Sequence, residues 1–541
     1  MRKHMEEIYN YKQEVRNMSG GSWLENAVFY EIYPQSFQDT NGDGIGDLNG
    51  IIEKLDYIGE LGCNALWLNP CFDSPFMDAG YDVSDYMLIA PRYGTNEDMK
   101  RLCEEAHKRG MHLLLDLVPG HTSVNHPWFK ESMKAVPNAY SDRYIWSPSI
   151  WADFKNVSNI SGCIRGISER NGCCAVNFFS TQPALNYGFA NPEADWQKTP
   201  DCEAAMATRE AMKEVMRYWL SMGCDGFRVD MAGSLVKNDT DSKETIRLWQ
   251  DFRAFLDKEY PDAVLVSEWG EPDKSLQGGF HMDFLLHFGP SHYLDLFRVE
   301  EPYFSNRGKG DISEFMETYV KNYKMTEGKG LICIPSGNHD MPRIAWKLDT
   351  EELKIAFAFL LSMPGVPFLY YGDEIGMRYL EGVTSVEGGY ERTGSRTPMQ
   401  WSQEKNAGFS EAEKEKLYIC QDEAADRPLA DVQMRDEDSL WHEVKRLIAL
   451  RKEHPALLSF GRFETVYVEK NAYPLIYKRE ADGESIYVVL NPSGQDITLE
   501  KKEVCEAVRG MELLYSVKKP AALHNETLQI PAQSATFFGK V

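Results

Sequence analysis

The 541-residue chain carries 58 Lys and Arg against 83 Asp and Glu, a formal charge of −25, with 43% apolar and 12% aromatic residues. That length exceeds one simple core and predicts two or three domains, with apolar residues enough to bury a large one. Such acidity argues against nucleic acid or an anionic membrane as partner, because both are held by clustered Lys and Arg; a small neutral molecule is compatible with it.

Residues 1–25 read as a polar N-terminal extension, helical or disordered, and residues 1–17 lack the apolar core of a signal peptide. The eleven cysteines are scattered, odd in number and often set inside apolar runs. Buried reduced thiols in a reducing compartment follow, so the expected location is the cytoplasm. From Ala27 onward, short apolar runs alternate with longer amphipathic ones. The runs are 27–37, 65–72, 112–118, 226–232, 264–269, 280–286, 330–336 and 366–372, with helical patterns such as 96–109 and 203–222 between them. Strands apolar on both faces and separated by helices are parallel βαβ units, and eight of them are the count of a closed (β/α)8 barrel. The longest apolar run, 355–371, contains Pro364, Gly365 and Pro367, which favours helix, turn and strand over a membrane span.

One connection, between the third strand and the helical pattern near Glu203, is too long for a plain loop and predicts an inserted small domain. The expected layout is therefore an α/β barrel over 26–119 and 190–455, an insertion over 120–189, and a C-terminal all-β sandwich over 456–541, where alternating strand patterns take over.

Three acids stand at strand ends. In DGFRVD, Arg228 and Asp230 fall on one face two residues apart, an arrangement that keeps the carboxylate ionised. Glu268 follows the apolar run of VLVSEW beside Trp269, and Asp340 ends IPSGNHD. Parallel strands bring such ends to one site.

Four segments in order, DLVPGH (residues 116–121), GFRVD (226–230), Glu268 after its strand and NHD (338–340), resemble the α-amylase family, glycoside hydrolase family 13, over nearly all the chain after the extension. The resemblance implies Asp230 as nucleophile, Glu268 as general acid/base and Asp340 as the acid that binds the distorted sugar, with His121 and His339 donating hydrogen bonds to that sugar. Retaining glycosidases need such a pair of carboxyl groups, about 5–5.5 Å apart. The segment MDAGYDVSDY resembles the oligo-1,6-glucosidase branch, which implies that Asp78 closes one end of the pocket, paired with Arg396 of SRTPMQW, while Tyr81 stacks on the sugar. FFSTQPALN resembles a segment of the same branch, with Phe178 and Phe179 expected to line the entrance. The expected activity is retaining, exo-acting hydrolysis of short α-glucosides through a covalent glucosyl intermediate. The alternatives are a transglucosylase or isomerase acting on sucrose, maltose or trehalose and, more remotely, a carbohydrate-binding protein without activity. The chain departs from the family at Gly120, where Asn is usual before His121, at Ala184, where an acid is usual, and at Met231 after the nucleophile.

The loop DTNGDGIGD sets oxygen ligands at Asp39, Asn41, Asp43 and Asp47, with the Ile45 carbonyl between them, a spacing that matches a calcium loop. A structural calcium ion, with magnesium or an empty polar turn as alternatives, and no organic cofactor, are the expectations. Oligomeric state is not readable.

Overall fold

The computed structural model describes residues 21–152, 154–326 and 329–540. The expectation for the N-terminal extension lies almost wholly outside them; Ser22–Glu25 is a single 3-10 turn.

Eight parallel strands make the central sheet: β1 (Phe29–Ile32), β2 (Ala65–Leu68), β3 (His112–Leu117), β4 (Gly226–Val229), β5 (Val264–Ser267), β6 (Met282–Phe284), β7 (Leu331–Cys333) and β8 (Phe368–Tyr370). Each pairs with its neighbour in sequence, and β1 pairs with β8 through Phe29 and Phe368. Beyond β7, Pro335 bridges to Phe368, which joins β7 to β8 and closes the barrel. All eight predicted apolar runs are therefore strands of one (β/α)8 barrel. Their residues are almost entirely buried, as expected where helices cover one face and side chains fill the other.

The connecting helices are α1 (Leu48–Leu61), α2 (Asn96–Lys108), α3 (Glu203–Ser221), α4 (Lys243–Glu259), the short α5 (Pro272–Gln277), α6 (Ser313–Thr326), α7 (Thr350–Ser362) and α8 (Leu440–Glu453). Their starts are written locally. Asp47 accepts the Gly50 N–H to cap α1, and reciprocal capping boxes, Thr95 with Asp98 and Asp349 with Glu352, open α2 and α7. The run 355–371 resolves into α7, a turn and β8, and no helix among the described residues is long and apolar enough to cross a membrane.

Aromatic side chains plug the barrel beneath the C-terminal strand ends. Phe29 stacks on Phe368 at 4.3 Å, and Phe284 meets Phe368 edge-on at 4.7 Å. Trp67 sits above them, its Nε1 donating to Asp116 at 3.1 Å. The plug is thus apolar below and polar above, and the change falls at the level of the acids.

Between β3 and α3 the inserted segment carries a helix, Pro127–Ser132, and an antiparallel hairpin of Gly162–Arg165 with Cys173–Val176. Its own core gathers Ile145, Phe154, Ala175, Ala184 and Phe189. Ala184 is fully buried and bridges to His121, so an acid at this position would lose its water here.

The C-terminal region forms a five-stranded antiparallel sheet of Arg462–Tyr467, Leu475–Ala481, Glu484–Asn491, Ser534–Lys540 and Glu512–Val517. Two buried arginines meet at the junction, Arg451 from α8 of the barrel and Arg479 from the sheet strand Leu475–Ala481. Arg451 donates to the carbonyls of Leu361 and Met363, both at 2.9 Å, and Arg479 donates to those of Ser362 and Leu458. These contacts cap the end of α7, where four carbonyls lack helical partners.

Candidate active site

Arg228, fully buried on β4, is the hub. Its Nη1 reaches Asp116 Oδ1 at 2.8 Å and Asp230 Oδ1 at 3.2 Å, while Nη2 reaches Glu268 Oε1 at 2.8 Å. Residues 228 and 230 share a face because strand side chains alternate, and Glu268 arrives from the next strand. The guanidinium is therefore shared among three carboxyl groups rather than dedicated to Asp230, as the sequence implied. Burial, then the charge of Glu268, push the Asp230 carboxyl well above the usual range, against the opposing pull of Arg228. One guanidinium thus faces three buried carboxyl groups, and its pull on Asp230 does not outweigh burial and the charge of Glu268. Glu268 Oε2 also accepts the Met231 N–H at 3.0 Å. Met231 takes left-handed backbone angles (φ 44°), a strained conformation for a non-glycine residue that turns the chain sharply after Asp230.

Asp340 is held differently. Its Oδ1 accepts from Arg392 at 2.8 Å and Arg396 at 2.9 Å, and its Oδ2 lies 3.1 Å from His339 Nε2. Burial alone would raise its pKa, but the His339 charge and hydrogen bond, with both guanidiniums, hold it well below the carboxylate range. His339 is buried between Asp340 and Glu31, its Nδ1 3.0 Å from Glu31 Oε1. Burial opposes its charge, yet these acids raise it to about 9. Burial raises Glu31 to about 7. Tyr81 stacks on the His339 ring at 5.3 Å, and its hydroxyl meets His339 Nε2 at 2.7 Å and Asp116 Oδ2 at 3.1 Å. His121 sits with Nε2 3.1 Å from the Tyr81 carbonyl, and burial lowers it to about 3, so it is neutral.

These groups meet at a cavity of about 840 Å³. Asp230, Glu268, Asp340, Asp78, Tyr81, His121 and Phe179 all line it, as sequence reading grouped them. Arg228, His339 and Arg396 instead lie beneath its wall, where they orient lining residues. Phe178, Phe179 and Tyr390 surround the mouth, the rings of Phe179 and Tyr390 5.9 Å apart.

The partner of Asp78 needs correction. Arg396 is turned inward, donating to the His339 carbonyl and to Asp340, both at 2.9 Å. The arginine opposite Asp78 is Arg392, four residues earlier, whose Nη2 lies 3.5 Å from Asp78 Oδ1 while its Nη1 holds Asp340. Both arginines belong to the segment around the 3-10 turn Tyr390–Ser395, and nothing in their spacing shows which one faces the cavity. Gln182, from the insertion, completes the closure by donating to Asp78 Oδ2 at 2.8 Å. Sequence reading set Trp269 beside Glu268 but gave no role to Asp116, Glu271, His287 or Phe288.

The loop of Asp39 to Asp47 is a ladder of side-chain-to-backbone hydrogen bonds. Asp39 accepts from the N–H groups of Asn41, Gly42 and Gly44 and from Ser410 Oγ, four donors for its four lone-pair positions. Asn41 and Asp43 each accept the N–H two residues on, and Asp47 accepts from Thr40 and Gly50. The ligand chemistry is all hard oxygen and suits calcium, with lone pairs left on Asn41, Asp43 and Asp47. Among the described residues, the group of His and acidic side chains drawn within 4.8 Å of one another is instead His292, Asp295 and Glu314, which is largely exposed.

Comparison with known proteins agrees with this geometry. Residues 31–459 match the family model for the α-amylase catalytic domain. The chain belongs to the α-amylase family, glycoside hydrolase family 13, and is a glycoside hydrolase enzyme. It is 33% identical to an oligo-1,6-glucosidase of Parageobacillus thermoglucosidasius, over 87% of this chain and 90% of that protein. It is 32% identical to a trehalose synthase/amylase of Mycolicibacterium smegmatis, over 85% of this chain and 81% of that one. Among solved structures, the trehalulose synthase MutB from Pseudomonas mesoacidophila MX-45 superposes with a TM-score of 0.75 at 26% identity, covering 96% of this chain and all of that one.

Burial raises Asp78 to about 6, and Arg392 is the largest influence opposing that rise. A carboxyl raised in this way is ionised above about pH 6 and becomes neutral below it. Turnover of a glycoside should therefore fall as pH drops through about 6. In Arg392→Gln, loss of the opposing charge should move this acid limb of kcat/KM upward by on the order of one pH unit. An unmoved limb would separate Asp78 from Arg392.

Proposed function

We propose that this enzyme is a retaining, exo-acting α-glucosidase that hydrolyses short α-glucosides of the maltose or isomaltose type. The observation that carries this reading is the placement of Asp230 and Glu268 on one guanidinium at the base of a single cavity, whose far side is closed by Asp78, Arg392 and Asp340. A pocket closed by an ion pair takes a chain end, not the middle of a polymer.

In this reading Asp230 attacks the anomeric carbon while Glu268 gives its proton to the departing oxygen, which breaks the glycosidic bond and leaves a glucosyl ester on Asp230. Water activated by the now ionised Glu268 then releases glucose with its α configuration retained. Glu268 must carry a proton when the bond breaks, and its contact with Arg228 has to give way to the substrate's leaving oxygen. Asp340, anionic and fixed by two arginines, offers lone pairs to the hydroxyls of the distorted ring, and Tyr81 offers an aromatic face to its C–H surface. The acidity of the chain and its neutral ligand class fit a small-molecule substrate, and we place the enzyme in the cytoplasm.

A second reading keeps the glucosyl ester and changes the acceptor. Its support is the similarity to the trehalose synthase/amylase and to the trehalulose synthase, which stands beside that to oligo-1,6-glucosidases. Product analysis by NMR with isomaltose, maltose, sucrose and trehalose separates the two: free α-glucose supports hydrolysis, and a rearranged disaccharide supports transfer. Asp230→Asn should lower turnover of a p-nitrophenyl α-glucoside by at least about 10⁴-fold. A variant retaining a tenth of the activity would remove Asp230 as nucleophile and reopen the reading of a binding protein without activity.

We also propose that Asn41, Asp43, the Ile45 carbonyl and Asp47 hold a structural calcium ion, while Asp39, expected from the sequence as a fifth ligand, has its lone pairs engaged by the loop's own donors and braces the loop instead. Calcium added to chelator-treated enzyme should raise Tm by a few degrees, since a ligand of the folded state stabilises it by mass action. Asp43→Ala should abolish the difference. Equal Tm values with calcium and with chelator would contradict the assignment.

A further inference from the structure

Gly120 precedes His121, and its φ lies outside the left-handed region. The backbone there would accept any residue, yet a Cβ at this position would stand 2.5 Å from Asn177 Nδ2. The next nearest atoms, Asn177 Cγ at 3.4 Å and Leu235 Cδ2 at 3.6 Å, leave ordinary space. The side-chain amide of Asn177 alone thus excludes a side chain from position 120.

Asn177 is buried at the end of the insertion's hairpin strand Cys173–Val176. Its Oδ1 accepts from Lys237 Nζ at 3.1 Å, and Lys237, itself fully buried, also donates to the Ser234 carbonyl at 2.7 Å. Burial lowers Lys237 to about 7, and whether charged or neutral its amine has N–H groups enough for both the Ser234 carbonyl and the Asn177 oxygen, so the amide oxygen faces Lys237 and the amide nitrogen faces the other way. That nitrogen lies 3.3 Å from His121 Nδ1 and 3.7 Å from Met231 Sδ. With Nδ1 accepting, the single proton of neutral His121 sits on Nε2, where it meets the Tyr81 carbonyl at 3.1 Å. Met231 in turn gives its N–H to Glu268. One amide from the insertion therefore adjoins the histidine of the cavity wall and the residue that seats Glu268.

We propose that Asn177, oriented by Lys237, is a positioning residue of the reaction: it fixes the Nε2–H tautomer of His121 and seats Met231 against Glu268, from the space that a side chain at position 120 would fill. Lys237 also ties the end of the insertion to the segment after β4, its N–H donating to the Gly188 carbonyl and its own carbonyl accepting from Ala190, so the amide is anchored from both sides.

The kinetic part of the test rests on the glycosidase reading; the tautomer does not. Asn177→Asp is nearly isosteric and keeps the Lys237 contact, but it removes the donor to His121. It should lower kcat/KM on an α-glucoside by about tenfold with Tm almost unchanged, and ¹⁵N NMR of histidine-labelled protein should show His121 leaving the pure Nε2–H form. Asn177→Ala should lose at least as much, and Gly120→Asn added to it should recover part of the loss by returning an amide to the same space. Wild-type kcat/KM and an unchanged His121 tautomer in Asn177→Asp would overturn the proposal, as would loss without recovery in the double variant when that variant folds like the parent. A wild-type enzyme inactive on every α-glucoside would sink the glycosidase reading, and the tautomer measurement would still decide this one.

Discussion

The active site depends on the sharing of one buried guanidinium among three carboxyl groups. Arg228 reaches Asp116, Asp230 and Glu268 from a fully buried position, and it cannot leave without stranding charge in the barrel's mouth. The neighbouring groups follow from this arrangement. Asp116 is fixed from its other side by Trp67 and Tyr81, so the pull on Arg228 has a rigid anchor. Asp230 and Glu268 share the remaining hydrogen-bonding capacity of the guanidinium, and burial with the neighbouring carboxylate pushes the Asp230 carboxyl well above its usual range.

The second constraint is the contrast between the two halves of the site. At Asp340 two arginines and a cationic histidine surround one carboxylate and leave it anionic. At Asp230 and Glu268 one arginine serves two acids, and the Asp230 carboxyl is pushed well above its usual range. The same residue types thus shift Asp230 and Asp340 in opposite directions through different ratios of cation to anion. A glycosidic bond calls for this asymmetry: fixed negative charge at Asp340 beside the developing oxocarbenium centre, and a pair of neighbouring acids at the bond to be broken. The (β/α)8 scaffold supplies it by delivering these side chains from β4, β5 and the loop after β7 to one face.

Much of this was legible in the sequence, for identifiable reasons. Buried parallel strands have to be apolar on both faces, so all eight announced themselves, and a carboxylate directly after such a run had few structural uses. Asp230, Glu268 and Asp340 stood out as strand-end acids, and the resemblance to the α-amylase family is what implied their roles. Arg392 and Arg396 were not separable, because both belong to one irregular turn whose facing is decided by tertiary packing against Asp340. Asn177 was hidden for a related reason: its importance lies in the space beside Gly120, fifty-odd residues away, and only the folded insertion brings the two together. The sharing of Arg228 was also invisible, since alternation on one strand pairs it with Asp230 but says nothing about the neighbouring strand.

The most direct measurement is mass spectrometry of the enzyme after incubation with a 2-deoxy-2-fluoro-α-glucosyl or 5-fluoro-glucosyl fluoride, reagents that form a glycosyl ester and hydrolyse slowly. The account predicts one added fluoroglucosyl group per chain, located by peptide mapping on Asp230 and lost in Asp230→Asn. Labelling of another residue, or none in an enzyme that turns over α-glucosides, would contradict it.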